Sequence, residues 1–273
     1  MNTIELTSAV PTFSDSFREV VQFRDLLYSL TWRDIQIRYK QAVMGFFWAL
    51  LMPLVIVGAG VLVRFAFSVS SGHGINLVDI SSIALKSLPW AFFVSAIKFG
   101  TGSMVKSPNL VTKIYFPREV FPLAAVLASL FDTAISSFVI IVLLVVARVG
   151  FSVQLLWVPL ILGLTVLFTA ALAMFLSCAN LFFRDVKYLV DIVTTFGIFF
   201  TPVFYDANRL GKWAPVVLLN PIGSLLEALN STVILHRAPS GFWLAYDAAW
   251  AVLGLLAAWR IFDRAETAFA ETI

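Results

Sequence analysis

The sequence predicts an all-α integral membrane protein: six transmembrane helices, an N-terminal amphipathic interfacial helix, and short re-entrant external helices between spans five and six. Hydrophobic residues make up 60% of the 273 residues and charged residues only 13%, whereas a soluble domain is about half apolar and a quarter charged. Apolar runs long enough for a spanning helix, which needs about 20 residues, recur along the chain. They lack the alternation of a lipid-facing β-strand, so the spans are predicted to be helices.

The N-terminal segment, residues 1–41, is predicted to be cytoplasmic and to carry the amphipathic helix. Ser16-Phe17-Arg18-Glu19 has the form of a helix-capping box. From Arg18 to Lys40, polar residues recur at spacings of three and four, with apolar residues mainly on the other side. Such a helix lies in the membrane surface. The alternative, a helix packed on a soluble domain, is disfavoured because the sequence leaves no soluble domain to pack it.

A transmembrane domain is predicted over residues 42–262, followed by a cytoplasmic tail, 263–273. Thr169, Ala173 and Ser177 repeat every four residues and predict close helix packing within it. The six predicted spans are residues 42–66, 82–105, 119–147, 155–182, 188–205 and 242–261.

Residues 206–240 form an unusual segment between the fifth and sixth spans. Pro215, Pro221 and Pro239 interrupt apolar stretches there, so the segment is too broken to span and too apolar for a solvated loop. Irregular backbone at membrane depth must be covered by protein. We therefore expect short re-entrant helices here.

Basic residues predict the orientation, because cytoplasmic flanks carry an excess of lysine and arginine. With a cytoplasmic N-terminus, twelve of these residues fall inside and six outside, which predicts that both termini are cytoplasmic. The inside set is Arg18, Arg24, Arg33, Arg38, Lys40, Lys106, Lys113, Arg118, Arg184, Lys187, Arg260 and Arg264. The outside set is Arg64, Lys86, Arg148, Arg209, Lys212 and Arg237.

Familiar catalytic and nucleotide-binding motifs are missing from the sequence. The only Gly-Lys pair, Gly211-Lys212, lacks the rest of a Walker A loop. His73 and His236 are far apart, which makes a metal site improbable. A single cysteine, Cys178, cannot form an intrachain disulfide. We therefore expect no catalytic residue, no metal and no cofactor on this chain, and no nucleic-acid partner.

Six motifs in order carry a resemblance to a known family. The sequence resembles the membrane subunits of ABC type-2 exporters for cell-surface polysaccharides, which include O-antigen, capsule and teichoic acid. The motifs are WRDIQIRYKQAVMGFFWALLMP (32–53), LPWAFFVSA (88–96), NLVTKIYFPREVFPL (109–123), NLFFRDVKYLVDI (180–192), TPVFY (201–205) and LNPIGSLLEAL (219–229).

The resemblance implies a homodimer in the bacterial inner membrane, driven by two copies of a separate ATPase subunit that binds ATP and Mg²⁺. It implies a lipid-linked polysaccharide substrate such as O-antigen. Open alternatives are a type-2 permease for teichoic acid, capsule, a drug or a lipid. A stand-alone secondary transporter would need inverted repeats and ion-coupling residues, and a membrane glycosyltransferase would need a carboxylate cluster. Neither signature stands out.

Three groups of candidate site residues follow from this resemblance. For the aromatic group, lipid contact or helix packing is the competing interpretation. The aromatic residues expected along a substrate channel are Trp48, Trp90, Phe93, Phe196, Phe199 and Phe200. Those expected to couple to the ATPase are Arg33, Arg38, Lys40, Asn109, Lys113, Arg118 and Glu119. Those expected at the external gate are Pro202, Tyr205, Asn220, Pro221 and Glu227.

Two charged residues inside predicted spans are candidates for an intramembrane role. Asp132 lies near the middle of span three and Lys98 on span two, where the family usually has a neutral residue. A charge there costs about 2.5–3.5 kcal/mol on insertion scales and should find a partner. Because the two spans are antiparallel neighbours, we predict that Lys98 pairs with Asp132. The competing interpretation is that Asp132 lines the glycan path.

Overall fold

The computed structural model describes residues 13–40, 47–71, 74, 76–106 and 116–272, and all regular secondary structure in that part of the chain is helical. Two short 3₁₀ helices, Val153–Trp157 and Ala207–Trp213, join longer elements. The α-helices are α1 Phe13–Gln22, α2 Arg24–Tyr39, α3 Phe47–Ser71, α4 Leu77–Thr101, α5 Val120–Val146, α6 Val158–Phe182, α7 Val186–Phe200, α8 Ala214–Leu218, α9 Pro221–Val233 and α10 Gly241–Thr272.

Four stretches are long and apolar enough to cross a membrane: Leu77–Thr101, Val120–Val146, Val153–Phe182 and Gly241–Ala265. They confirm a multi-pass, all-α membrane protein. A shorter apolar stretch, Pro53–Ala66, lies within α3. The six-span count stays a prediction, because α7 has only 15 residues.

Helix α4 is at the centre of the structure and contacts α3, α5, α6, α7 and α9. Small residues permit two close approaches. A Cβ added at Gly100 would lie 2.9 Å from Ala173 on α6, and one at Gly60 on α3 would lie 2.6 Å from Ile83. Thr169, Ala173 and Ser177 are fully buried, which confirms the close packing predicted from their spacing.

The segment predicted to be re-entrant, 206–240, contains a 3₁₀ helix, α8 and α9. Pro215 and Pro221 each occupy a first turn, where proline needs no backbone donor. Helix α9 is buried along most of its length and packs against α4, α6 and α10. The segment is therefore packed against the bundle and is not a solvated loop.

The amphipathic segment forms two helices that meet at Phe23, which has non-helical backbone angles. Helix α2 packs on α5, and α1 contacts α10. The predicted capping box at Ser16 is wrong, because α1 begins at Phe13 and Ser16 lies buried inside it. Asn76 and Asp79 form a capping box instead, at the start of α4.

Candidate functional site

A cavity of about 820 Å³ lies between α2, α3, α4, α5 and α7. Cavities with apolar walls and a few convergent polar groups are the usual ligand sites in proteins, so we take it as the candidate site. Its apolar wall includes Pro53, Ile56, Leu88, Trp90 and Val94. Its charged groups are Arg38, Lys98, Lys106, Lys187, Asp132 and Asp191.

A polar cluster joins α2 to α5 at the cavity wall. Asp132 accepts hydrogen bonds from Arg38 and Tyr39. Arg38 also donates to Ser129 Oγ at 3.3 Å, and its guanidinium carbon lies 3.9 Å from the centre of the Phe99 ring. Burial, and next the hydrogen bond to Asp132, raise the pKa of the Tyr39 phenol, which therefore stays protonated as a donor. The cluster fixes the C-terminal end of α2 to α5, one of the four stretches long and apolar enough to cross a membrane.

The predicted pairing of Lys98 with Asp132 is wrong. Lys98 Nζ lies 3.2 Å from the carboxylate of Asp191 on α7, and Arg38 is the cation paired with Asp132. The prediction considered only adjacent spans, whereas the end of α2 returns to the side of α5. The Lys98–Asp191 pair lines the cavity, and its two side chains are 37% and 46% exposed.

Lys106 and Lys187 give the charged part of the cavity an excess of positive charge. Neither has a carboxylate within ion-pair distance among the residues the structure describes. Burial lowers the pKa of Lys106, and the nearby charge of Lys187 lowers it further. Four cations face two carboxylates here, an excess of two that favours an anionic group.

The predicted channel aromatics lie in three different environments. Trp90 is buried in the cavity wall, with its ring centre 5.7 Å from that of Phe93. Phe93 stacks on Phe168 at 6.4 Å. The side chain of Trp48 lies outside the described residues. The exposed face of α7 carries Phe196, Phe199 and Phe200, which are 58%, 61% and 75% exposed. A single chain does not bring the six rings together, and their channel role stays a prediction.

The residues predicted to couple to an ATPase also lie in different environments. Asn109 and Lys113 lie outside the described residues. Arg33 forms an ion pair with its neighbour Asp34 at 2.9 Å, and Glu119 is buried beside the start of α5. The remaining positions are Arg38 in the polar cluster, exposed Lys40 and half-buried Arg118.

The predicted gate residues lie between the end of α7 and α9. Pro202 is buried against Gly223, where an added Cβ would lie 2.9 Å from the proline ring. Asn220 Nδ2 donates to Thr201 Oγ1 at 3.1 Å. Pro221 is the first residue of α9. Nearby, the Tyr205 hydroxyl donates to the Phe199 carbonyl at 3.4 Å, and Glu227 is 7% exposed.

The structure shows a second polar cluster that the sequence predictions missed. Lys86 and Arg64 were assigned to external flanks, but both side chains lie buried among carboxylates, 1% and 10% exposed. Burial raises the pKa of Asp206, but the cations Lys86, Arg64 and Arg209 outweigh this effect and hold its pKa below the ordinary value. The signal available in the sequence was the position of Lys86 inside an otherwise uncharged apolar run.

A bundle of apolar helices around a cavity with cationic and apolar walls is the arrangement of a membrane transport subunit. Residues 25–234 match the family model described as "ABC-2 type transporter". Because the match covers most of the sequence, the chain belongs to this family, and the resemblance inferred from the six motifs is confirmed.

Curated relatives carry one shared name. The chain is 30% identical over 260 residues to "O-antigen export system permease protein RfbA" of Myxococcus xanthus, covering 94% of this chain and 98% of the relative. It is 28% identical over 205 residues to a protein of the same name from Klebsiella pneumoniae, covering 74% of this chain and 77% of the relative.

Proposed function

We propose that this chain is the transmembrane permease subunit of an ATP-driven ABC exporter that moves a lipid-linked O-antigen across the bacterial inner membrane. The observation that carries the proposal is the nearly end-to-end match with an O-antigen export permease. The cavity supports it, since an apolar wall beside a cationic region suits a lipid chain with an anionic headgroup.

The proposed architecture has six spans with both termini in the cytoplasm. Helix α3 supplies the first span, and α7 with the residues after it supplies the fifth. Charge distribution supports this orientation. The predicted flanks hold twelve basic residues inside against six outside, an excess that supports cytoplasmic termini.

The working assembly is proposed to be a homodimer with two copies of a separate ATPase subunit that binds ATP and Mg²⁺. The sequence has no Walker A loop, so the energy has to come from a partner. Helix α2 and residues 107–119 are the cytoplasmic surfaces proposed to receive it. In the dimer, the exposed aromatic face of α7 is proposed to line the glycan path.

Deletion of the gene that encodes this chain, in its native organism, tests the proposal. We expect loss of surface O-antigen on lipopolysaccharide gels, accumulation of the lipid-linked glycan in the cytoplasmic leaflet, and recovery of both on plasmid expression. The matched control is a catalytically dead ATPase subunit, which should give the same phenotype. Normal O-antigen together with loss of capsule, teichoic acid or drug export would contradict the proposed substrate and identify the alternative.

A further inference from the structure

Lys86 is a fully buried cation inside a membrane helix. It lies nine residues after the start of α4, about 14 Å along the helix at 1.5 Å per residue. Its relative exposure is 0%. A charged side chain inside a spanning helix faces protein or water and pairs with another group, and it is a candidate for a functional role.

Two parts of the external segment, residues 205–233, meet at Lys86: its start and the middle of α9. Its Nζ donates to the Tyr205 carbonyl at 2.7 Å and to Asp206 Oδ1 at 3.1 Å. It also lies 3.8 Å from the Glu227 carboxylate on α9. One side chain on a span therefore holds the segment where it leaves α7 and again two turns into α9.

Further ion pairs surround Lys86 and complete the cluster. Arg64 on α3 pairs with Asp79 and lies 3.7 Å from Asp206. Arg209 lies 3.2 Å from the same Asp206 carboxylate. With Lys86 and Glu227 included, the cluster contains three basic side chains and three carboxyl groups.

Glu227 depends on Lys86 for its ion pair, whereas Asp206 has other cations beside it. Asp206 keeps Arg64 and Arg209 as partners if Lys86 is removed. Glu227 would lose its ion pair, because Lys86 is its one ion-pair partner among the described residues. One helical turn away, Ser82 Oγ donates to Asn230 Oδ1 at 2.7 Å. This antiparallel register aligns α9 with the external half of α4.

We propose that Lys86 is a positioning residue that fixes the external segment against α3 and α4, so that the segment keeps its place at the outer end of the export path. The side of the membrane and the export path in this proposal rest on the proposed export function. The docking itself is a property of this chain.

The test compares two neighbouring cysteine positions in a Cys178→Ala background. Ala207 is fully buried beside the cluster, whereas Asn208 is exposed. A membrane-impermeant maleimide added outside intact cells should label Asn208→Cys and leave Ala207→Cys protected. The variant Lys86→Met with Glu227→Gln removes one cation and one carboxylate, so no unpaired buried charge is left to prevent folding. In this double variant, Ala207→Cys should lose its protection and label as fully as Asn208→Cys.

Export is measured in the same strains at matched protein abundance. We expect the double variant to export less, although its charges balance. Protection of Ala207→Cys that persists in the double variant at normal abundance would overturn the proposal, as would labelling of Ala207→Cys when Lys86 is present. If Asn208→Cys labels only from the cytoplasmic side, the proposed topology fails; the same protection comparison is then made on inverted vesicles and decides the role of Lys86 separately.

Discussion

Replacing Arg38 by methionine should weaken the attachment of α2 to the bundle. The change leaves Asp132 in α5 without its cation, although Tyr39 can still donate to it. Breaking a fully buried pair costs about 3–5 kcal/mol. Here the two side chains are 12% and 20% exposed, so we expect about 2–3 kcal/mol. Asp132→Asn should cost less, since Arg38 keeps Ser129 and the Phe99 ring, a cation–π contact that contributes about 0.5–1 kcal/mol.

Thermal denaturation in detergent, followed by fluorescence-detected size exclusion, measures this effect. One kcal/mol moves Tm by about 2–4 °C in proteins of roughly 200 residues. Arg38→Met should therefore lower Tm by about 4–12 °C. The matched control is Arg33→Met on the same helix, because Arg33 pairs with its own neighbour Asp34 and is more exposed. A surface pair of this kind contributes about 0–1 kcal/mol, so the control should change Tm by no more than about 4 °C.

A double-mutant cycle completes the test. Arg38→Met with Asp132→Asn removes both charges, so the combined loss should be smaller than the sum of the two single losses. Lys98→Gln combined with Asp132→Asn should be additive, because Lys98 pairs with Asp191. Equal losses for Arg38→Met and Arg33→Met, or strong coupling between Lys98 and Asp132, would refute this account of the cluster.

Three further predictions can be checked independently. Gly100→Ala should destabilise the protein by about 1–3 kcal/mol through overpacking, whereas Gly163→Ala, where nothing lies within 4 Å, should not; Tm measurements that rank them equally would contradict the packing. Cysteine at Asn208 should be labelled only from outside, and labelling only from the cytoplasm would reverse the proposed topology. Trp90→Ala and Phe199→Ala should each reduce export partially, because each change removes a stacking contact that contributes about 1 kcal/mol. Normal export by both variants at normal abundance would contradict the proposed aromatic path.

The sequence predicted the membrane class, the helical packing face and the family, because each depends on many residues at once. Predictions from the apolar content and from six motifs in order stay the same when a single residue is misinterpreted. Helix ends were less accurate: the second span was placed at 82–105 and α4 runs from Leu77 to Thr101. Lys86 lies four residues after the start of the predicted span but nine residues after the start of α4, so its depth in the helix was underestimated.

Individual charge partners were the least predictable part of the candidate site. Arg38 and Asp132 are 94 positions apart, and Lys86 and Asp206 are 120 apart. Such pairs depend on where α2 and the segment after α7 fold back onto the bundle, which the periodicity of the sequence does not show. The burial of Ala207 beside the Lys86 cluster likewise depends on this folding back and is not visible in the sequence.

The attachment of α2 through Arg38 has a mechanical consequence. Helix α2 has 16 residues, which gives a rod about 24 Å long, and its C-terminal end is pinned to Asp132. That aspartate lies twelve residues into α5, about 18 Å from the first residue of the helix. A force applied anywhere along the rod is therefore delivered to the middle of a transmembrane helix, and to Phe99 on α4 beside it. The contacts of Arg38 and Tyr39 at this point, together with the packing of α2 along α5, form the connection through which such a force passes.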